Sequence, residues 1–126
     1  MSVVVTKSTI AALNADQTFT PNAATSTVAN TAEVFTVTPT KPGGKSAIVF
    51  SNATGHGAYT YSIAAGDFWA GAAITGSVAA AAMEVLEYDS AKILQDDGTI
   101  AITLTPATGK ILLTNHAAKI YHLELL

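Results

Sequence analysis

Cysteine, charged side chains and large aromatic side chains are scarce in this sequence. None of the 126 residues is Cys, which excludes disulfides, thiolate catalysis and zinc sites built on thiolates. Charged residues make up 12% of the chain, about half the share usual in soluble domains. The net charge of -3 gives no basic field for phosphates, so we expect no nucleic-acid partner.

Long apolar runs are also missing. The longest uncharged stretch near the middle, residues 68–83, is interrupted by Gly and is shorter than the roughly 20 residues that a membrane span needs. The N-terminus has no continuous apolar segment after basic residues, so a signal peptide is not predicted. We therefore expect a soluble protein without a membrane partner.

The length fits one domain preceded by an arm. Residues 1–30 are rich in Thr, Ala and Asn with little periodicity, which predicts an extended N-terminal arm. Its one strand-like piece, Val3 to Thr6, is expected to pair with a sheet of the same domain or with a neighbouring subunit. Disorder until assembly is the alternative.

Residues 31–126 form a series of short β-branched or aromatic runs bounded by turn residues. The runs are "EVFTVTP", "SAIVFSN", "AYTYSIA", "TIAITLTP", "KILLTN" and "KIYHLELL". Their spacing of about 8 to 12 residues predicts an all-β, single-domain β-sandwich or barrel. Pro106 and Gly109 lie between two of these runs and predict a hairpin turn.

Residues 77–98 are ambiguous between two structures. Their alanines favour a helix, which Ser77 would cap and Gly98 would end. The alternative is a strand over about residues 83–87, followed by a short helical turn at 89–94. We take the strand, because an all-β domain needs paired strands and because of the resemblance described below.

No catalytic, cofactor or metal site is predicted. The three histidines, His56, His116 and His122, are far apart and lack metal-ligand spacing. The acidic residues concentrated near the middle of the chain predict a solvated turn rather than a calcium site; they are Glu87, Asp89, Asp96 and Asp97. No nucleophile motif is present, so the chain is not expected to be an enzyme.

The candidate contact residues are aromatic. Phe68 and Trp69 follow a Gly-Asp turn, after a strand in which alternation places Tyr59 and Tyr61 on one face. Three interpretations stay open for Trp69: a plug at the end of the core, a contact between subunits, or a platform that stacks sugar rings. The four aromatic residues are therefore the candidate interface or ligand contacts.

Three short motifs carry a resemblance to a known family. A strand ends in Ala65, Gly66 and Asp67; Leu86 and Glu87 follow an alanine-rich stretch; Asp97 and Gly98 lead into a strand. Over about residues 33–126 this pattern resembles the small β-sandwich virion proteins of tailed bacteriophages, of the capsid decoration or cement type. The family pattern has Arg before an aromatic at its short turn, where this chain has Lys92 and Ile93.

The resemblance implies a jelly-roll-like sandwich with at most one short helical turn. It also implies a non-enzymatic protein, made in the host cytoplasm, that binds the major capsid protein across subunits on the virion surface. Self-association is expected, with a trimer favoured, and the arm would be the adaptable contact. The alternatives are a carbohydrate-binding module with an aromatic platform, or another virion part such as a tail or fibre component.

Overall fold

The computed structural model describes residues 2–10, 16–40, 46–67, 71–88 and 92–125. The strands in these residues are β1 (Ser2–Val4), β2 (Lys7–Ile10), β3 (Asn22–Ala23), β4 (Glu33–Val37), β5 (Ser46–Asn52), β6 (Tyr59–Ile63), β7 (Ile74–Val78), β8 (Ala82–Tyr88), β9 (Ile100–Thr105) and β10 (Lys119–Leu125). They form two sheets that face each other. The all-β sandwich predicted from the sequence is confirmed.

The strand order is that of a jelly roll. Sheet A runs β1-β4-β9-β6-β7, and sheet B runs β2-β10-β5-β8, with β3 also paired to β10. With β3 taken as the first of eight strands, the sheets are β4-β9-β6-β7 and β3-β10-β5-β8, the order of two Greek keys. β1 and β2 are additions to this set, and both pair in parallel with their neighbours.

Alternation along the strands produces the core. In β4, Glu33, Phe35 and Val37 face the interior, whereas Val34 and Thr36 face outward, as the sequence pattern predicted. Each large apolar side chain taken fully out of water contributes about 1.5 to 3 kcal/mol to folding. The largest fully buried apolar residues are Phe35, Phe50, Tyr59, Ile48, Ile63, Ile93, Ile100, Ile102, Leu104, Leu112 and Ile120.

The described part of residues 1–30 belongs to the sandwich. β1 pairs with β4, and both β2 and β3 pair with β10. The Asn22 side chain accepts a hydrogen bond from the Thr6 N–H at 2.7 Å and donates to the Ile120 carbonyl at 3.0 Å. Within the described residues, packing therefore continues across position 30, the expected boundary between the arm and the domain. The strand-like piece near Val3 pairs within its own domain.

A buried carboxylate fastens the segment that joins β3 to β4. Glu33 is fully buried, and its oxygens accept hydrogen bonds from the Thr25 N–H at 2.9 Å, from the Thr25 hydroxyl and from the Ser26 N–H at 3.2 Å. Removing one partner from a buried charged hydrogen-bond set leaves the other groups unsatisfied, which is costly. Glu33 therefore holds residues 25 and 26 against sheet A.

The ambiguous alanine-rich stretch contains two strands. β8 pairs with β5 along its whole length, from Ala82 to Tyr88, so the strand interpretation is confirmed. The sequence analysis missed β7, which pairs with β6 and whose Thr, Gly and Ser residues resemble a loop. A turn with Ala81 at φ 56° joins β7 to β8 and carries the chain from one sheet to the other. The predicted turn at 89–94 lies partly outside the described residues.

The strand predicted at "KILLTN" is wrong. Residues Leu112–His116 form a π-helical turn, which ends at Ala117 in the left-handed conformation with φ 45°. The Asn115 side chain accepts a hydrogen bond from the Ile111 N–H at 2.8 Å and stabilises the turn locally. Leu112 and His116 are buried while Thr114 between them is exposed, whereas in a strand all three side chains would share one face. A turn is present here, in which the Lys110 N–H donates to the Ala107 carbonyl at 2.9 Å, but the π-helical turn replaces the second strand, so the predicted hairpin is wrong.

Gly66 and Asp67 of one quoted motif contact residues 92–96 at one end of the sandwich. The Gly66 N–H donates to the Lys92 carbonyl at 2.9 Å, and the Asp67 carboxylate accepts from the Asp96 N–H at 2.8 Å. A Cβ at Gly66 would lie 2.7 Å from the Leu94 carbonyl oxygen and 2.9 Å from its nitrogen. These are backbone atoms that cannot move aside, so only glycine fits.

We expect Gly66→Ala to lower the free energy of unfolding by about 2 kcal/mol or more, because the new methyl overlaps backbone atoms. Gly55→Ala is the matched control, since nothing lies within 4 Å of a Cβ there. Urea denaturation of both variants measures the difference. Equal stability of the two variants would contradict the close approach at Gly66.

We expect Glu33→Gln to cost about 2 to 3 kcal/mol of stability, because an amide nitrogen would replace one oxygen that accepts a backbone hydrogen bond. Hydrogen exchange should show faster exchange at residues 25 and 26 than elsewhere in the variant. Glu84→Gln, at an exposed position of β8, is the control and should leave these amides protected. Unchanged protection of the amides of residues 25 and 26 in Glu33→Gln would contradict this role of Glu33.

Candidate functional site

The outer face of sheet A carries no charged side chain among the described strand residues. We call it the hydroxyl face. Its members alternate with the core residues of β1, β4, β9, β6 and β7. They are Ser2, Val4, Val34, Thr36, Thr60, Ser62, Thr75, Ser77, Ala101, Thr103 and Thr105. A shallow groove of about 400 Å³ follows β6 and β7 on this face.

The chemistry of the hydroxyl face suits a neutral partner. Hydroxyl groups lose water at much lower cost than carboxylates or ammonium groups, and they donate or accept a hydrogen bond as the partner requires. Val4, which is 77% exposed, and Val34 add apolar area at one side of the face. The described charged residues all lie in loops, in the interior or on sheet B and its margins. A partner can therefore cover this face without stripping water from any ion.

The middle of the outer face of sheet B is apolar. A groove of about 530 Å³ is lined by side chains of the segment before β3 and of three strands. Phe19 is 43% exposed, Met83 60%, and Val85, beside the groove on β8, 67%. We call this groove the apolar groove. It is lined by Gln17, Thr18, Phe19, Val49, Met83, Tyr121 and Leu123.

The apolar groove was not predicted from the sequence. In β10, His122 and Glu124 face the interior whereas Tyr121 and Leu123 face outward. This inverts the usual arrangement, in which polar residues alternate outward. From the period of two alone, the apolar Tyr121 and Leu123 would be placed in the core. The sequence of β10 therefore does not mark the groove.

Tyr59, a predicted contact residue, lies entirely in the core with 0% of its surface exposed. Its hydroxyl donates a hydrogen bond to the Ser51 carbonyl at 3.0 Å, and its ring meets the edge of His116 with centroids 5.6 Å apart. Burial raises the pKa of this phenol well above its usual range. Tyr59 therefore offers no surface to a ligand, which corrects its assignment as a contact.

Tyr61 shares the face of Tyr59, as predicted, and that face is the inner one. Its ring stacks on Phe50 of the opposite sheet, with centroids 4.2 Å apart and planes 8° apart. The ring also covers Gly76 on the neighbouring strand, where a Cβ would lie 2.5 Å from ring atoms. Tyr61 thus joins the two sheets and is not part of an exposed platform. Phe68 and Trp69 lie outside the described residues.

A polar cluster lies inside one end of the sandwich, next to sheet B. The Tyr88 hydroxyl and His122 Nε2 are 2.7 Å apart, and His122 Nε2 is 3.7 Å from Glu124 Oε1. Glu124 accepts hydrogen bonds from the Thr40 N–H at 2.9 Å and the Thr40 hydroxyl at 2.6 Å, and Lys7 Nζ lies 3.6 Å from it. These contacts connect β2, β8 and β10.

The electrostatics of this cluster follow from burial. Burial lowers the pKa of His122, and the nearby Glu124 only partly opposes this effect. Burial alone would raise the pKa of Glu124, but the hydrogen bonds from Thr40 and the positive neighbours outweigh it, so the pKa lies below its usual range. Burial raises the pKa of Tyr88 to about 12. At neutral pH the cluster therefore contains a neutral histidine and an ionised carboxylate.

The remaining histidines and acids are separate from this cluster. His56 is exposed in a loop, whereas His116 is buried, accepts a hydrogen bond from the Ala107 N–H at 3.2 Å, and has its pKa lowered by burial. Hydrogen bonds from Thr99 lower the pKa of Asp97. In the part of the chain that the structure describes, no group of three or more His, Cys, Asp or Glu residues is placed to hold a metal ion. Asp89 is outside that part.

Comparisons with known proteins assign this chain to no family. No protein-family model, curated protein or solved structure matched the chain. Within the described residues, no helix has the length and apolar character needed to cross a membrane. The resemblance therefore rests on the residues quoted for it.

We expect stability to fall as the pH drops below about 6.5, the ordinary histidine value, because the unfolded chain then binds protons that buried His122 and His116 resist. The limiting slope is about 1.4 kcal/mol per pH unit for each histidine. Loss from Glu124 begins lower, below its ordinary value of 4.5. His122→Gln should flatten the dependence of unfolding free energy on pH between about pH 7 and about pH 5. His56→Gln, in an exposed loop, is the control; an unaltered slope in His122→Gln would contradict the assignment.

Proposed function

We propose that this chain is a non-enzymatic structural protein of a phage virion, which decorates and cements the capsid by binding across capsid subunits. The hydroxyl face is the observation that carries the proposal. It spans five strands of a rigid sheet and presents hydroxyl and small apolar groups without a charge. Such a face suits a broad, neutral protein surface better than a small charged substrate or a nucleic acid.

The size of the face explains why several copies would act together. Five strands about 4.8 Å apart, each about five residues long, make a flat area of roughly 400 Å². A standard interface covers about 800 Å² of each partner, so one copy binds weakly. A capsid repeats the same surface many times, and linked copies on a repeating surface gain avidity without new contacts. Self-association is therefore part of the proposal.

Cementing follows from mass action. A ligand that binds the assembled shell but not its separate subunits stabilises the shell in proportion to RT ln(1 + [L]/Kd). The decorating protein needs no catalytic group for this effect. It needs a rigid body and a face that contacts two subunits at once, and the two packed sheets supply the rigid body.

One motif on which the resemblance rests has a defined structural role that fits the proposal. Ala65, Gly66 and Asp67 contact residues 92–96 through backbone and side-chain hydrogen bonds, and the Gln95 side chain donates to the Ala65 carbonyl at 2.9 Å. The carbohydrate-binding alternative loses support, because Tyr59 and Tyr61 face the interior.

The decisive experiment uses empty heads assembled from the major capsid protein of the proposed virion. We expect the purified chain to co-sediment with the heads, to raise their melting temperature and to bind nearly as well at high salt as at low salt, because the hydroxyl face carries no charge. Thr103→Lys places a charge in the middle of that face, between Val34 and Ser62, and should weaken binding about tenfold or more.

Thr108→Lys, in an exposed turn, is the matched control and should bind like the unsubstituted chain. Absence of co-sedimentation would overturn the proposed function. Full binding by Thr103→Lys would move the docking site away from the hydroxyl face. Binding to a glycan array, lost on substitution of Trp69, would favour the carbohydrate-binding module instead.

A further inference from the structure

We propose that a second copy of this chain binds the outer face of sheet B, so that two such faces pack around a twofold axis with their strands nearly perpendicular. In this arrangement Lys119 of each copy lies beside Glu87 of the other. The inference uses the opposite face of the sandwich from the capsid proposal and leaves the hydroxyl face free.

The strand registers fix the layout of this face. β10 pairs with β5 and β5 pairs with β8, so outward residues form three rows across the strands. The first row is Lys119, Ser51 and Met83; the second is Tyr121, Val49 and Val85; the third is Leu123, Ala47 and Glu87. The two charged residues occupy opposite corners of this layout. Met83 and Leu123 occupy the other two corners.

This distribution of charge is self-complementary. A twofold axis lying in the face along the diagonal from Leu123 to Met83 exchanges the other two corners. Lys119 of one copy then faces Glu87 of the other, and the same pair forms again on the far side of the axis. An interface between identical patches must match itself in this way, so the layout favours a second copy as the occupant.

The same operation matches large side chains to small ones. It places Tyr121 of one copy over Ala47 of the other, and exposed Val85 over Ser51. Val49, which is only 9% exposed at the base of the groove, lies at the centre. A diagonal axis makes the strands of the two copies cross at nearly 90°, one of the two common geometries for packed sheets.

The size of the face sets the expected affinity. The three strands of this layout, about 4.8 Å apart and up to seven residues long, cover roughly 300 Å² on each copy, less than half of a standard interface. Contacts of this size give a weak dimer whose population rises with concentration, in the micromolar range or above. The twofold contact builds a dimer, which differs from the trimer that the family resemblance implies. A trimer needs two different patches that fit each other.

Charge reversal tests the contact. Sedimentation equilibrium between about 5 and about 500 µM should show the mean mass of the unsubstituted chain rising toward twice that of one chain. Lys119→Glu and Glu87→Lys each put like charges together at both pairs and should weaken dimerisation about tenfold or more. The double variant Lys119→Glu/Glu87→Lys restores opposite charges and should return the dissociation constant to within about threefold of the original.

Lys92→Glu, at an exposed position outside sheet B, is the control and should leave dimerisation unchanged. Val85→Ser keeps every charge and should also weaken the dimer, so it serves where a reversed variant does not fold. A chain that stays monomeric at the highest concentration, a limiting mass of three chains, or a double variant as weak as the single ones would each overturn the proposal. Co-sedimentation with heads tests capsid binding separately, and a monomeric chain would remove only the self-association that the capsid proposal includes.

Discussion

The pairing of β10 with its neighbours is the contact on which the rest of the structure depends. β10 pairs with β5 on one side, and with both β2 and β3 on the other, so it binds the first strands of sheet B to the middle of that sheet. Lys7 and His122 are paired although more than 100 residues separate them in the chain. Contacts this distant form late, because the entropy of closing the loop comes before any gain. The sandwich is therefore expected to fold slowly and as one unit.

Much of the fold could be predicted because alternation is a direct consequence of strand geometry. β4, β5, β6, β9 and β10 each have runs of β-branched or aromatic residues with a period of two, and each is a strand. β7 was missed because its outward Thr and Ser residues and inward Gly76 leave little apolar signal. The turn at Leu112–His116 was missed for the opposite reason: its residues are typical of a strand, and a local hydrogen bond to Asn115 together with burial of His116 favours another conformation.

The candidate site was harder to predict, since period two tells which residues share a face and not what lies opposite that face. Tyr59 and Tyr61 do share one face, and the structure places that face inward. In β10 the polarity is inverted, because Tyr88, Thr40 and Lys7 supply partners for His122 and Glu124 inside the sandwich. Those partners come from distant parts of the chain, so local sequence cannot reveal them.

The stacking of Tyr61 over Gly76 links two positions on neighbouring strands. The ring occupies the space that any side chain at 76 would need, and it also contacts Phe50 on the other sheet. Glycine weakens a strand by itself, and a neighbouring aromatic ring that covers it restores packing. The residues at positions 61 and 76 therefore constrain each other. As such sequences diverge, an aromatic residue at 61 and glycine at 76 should be kept or lost together, and this covariation would mark the inner face of sheet A even where the rest of the sequence has changed.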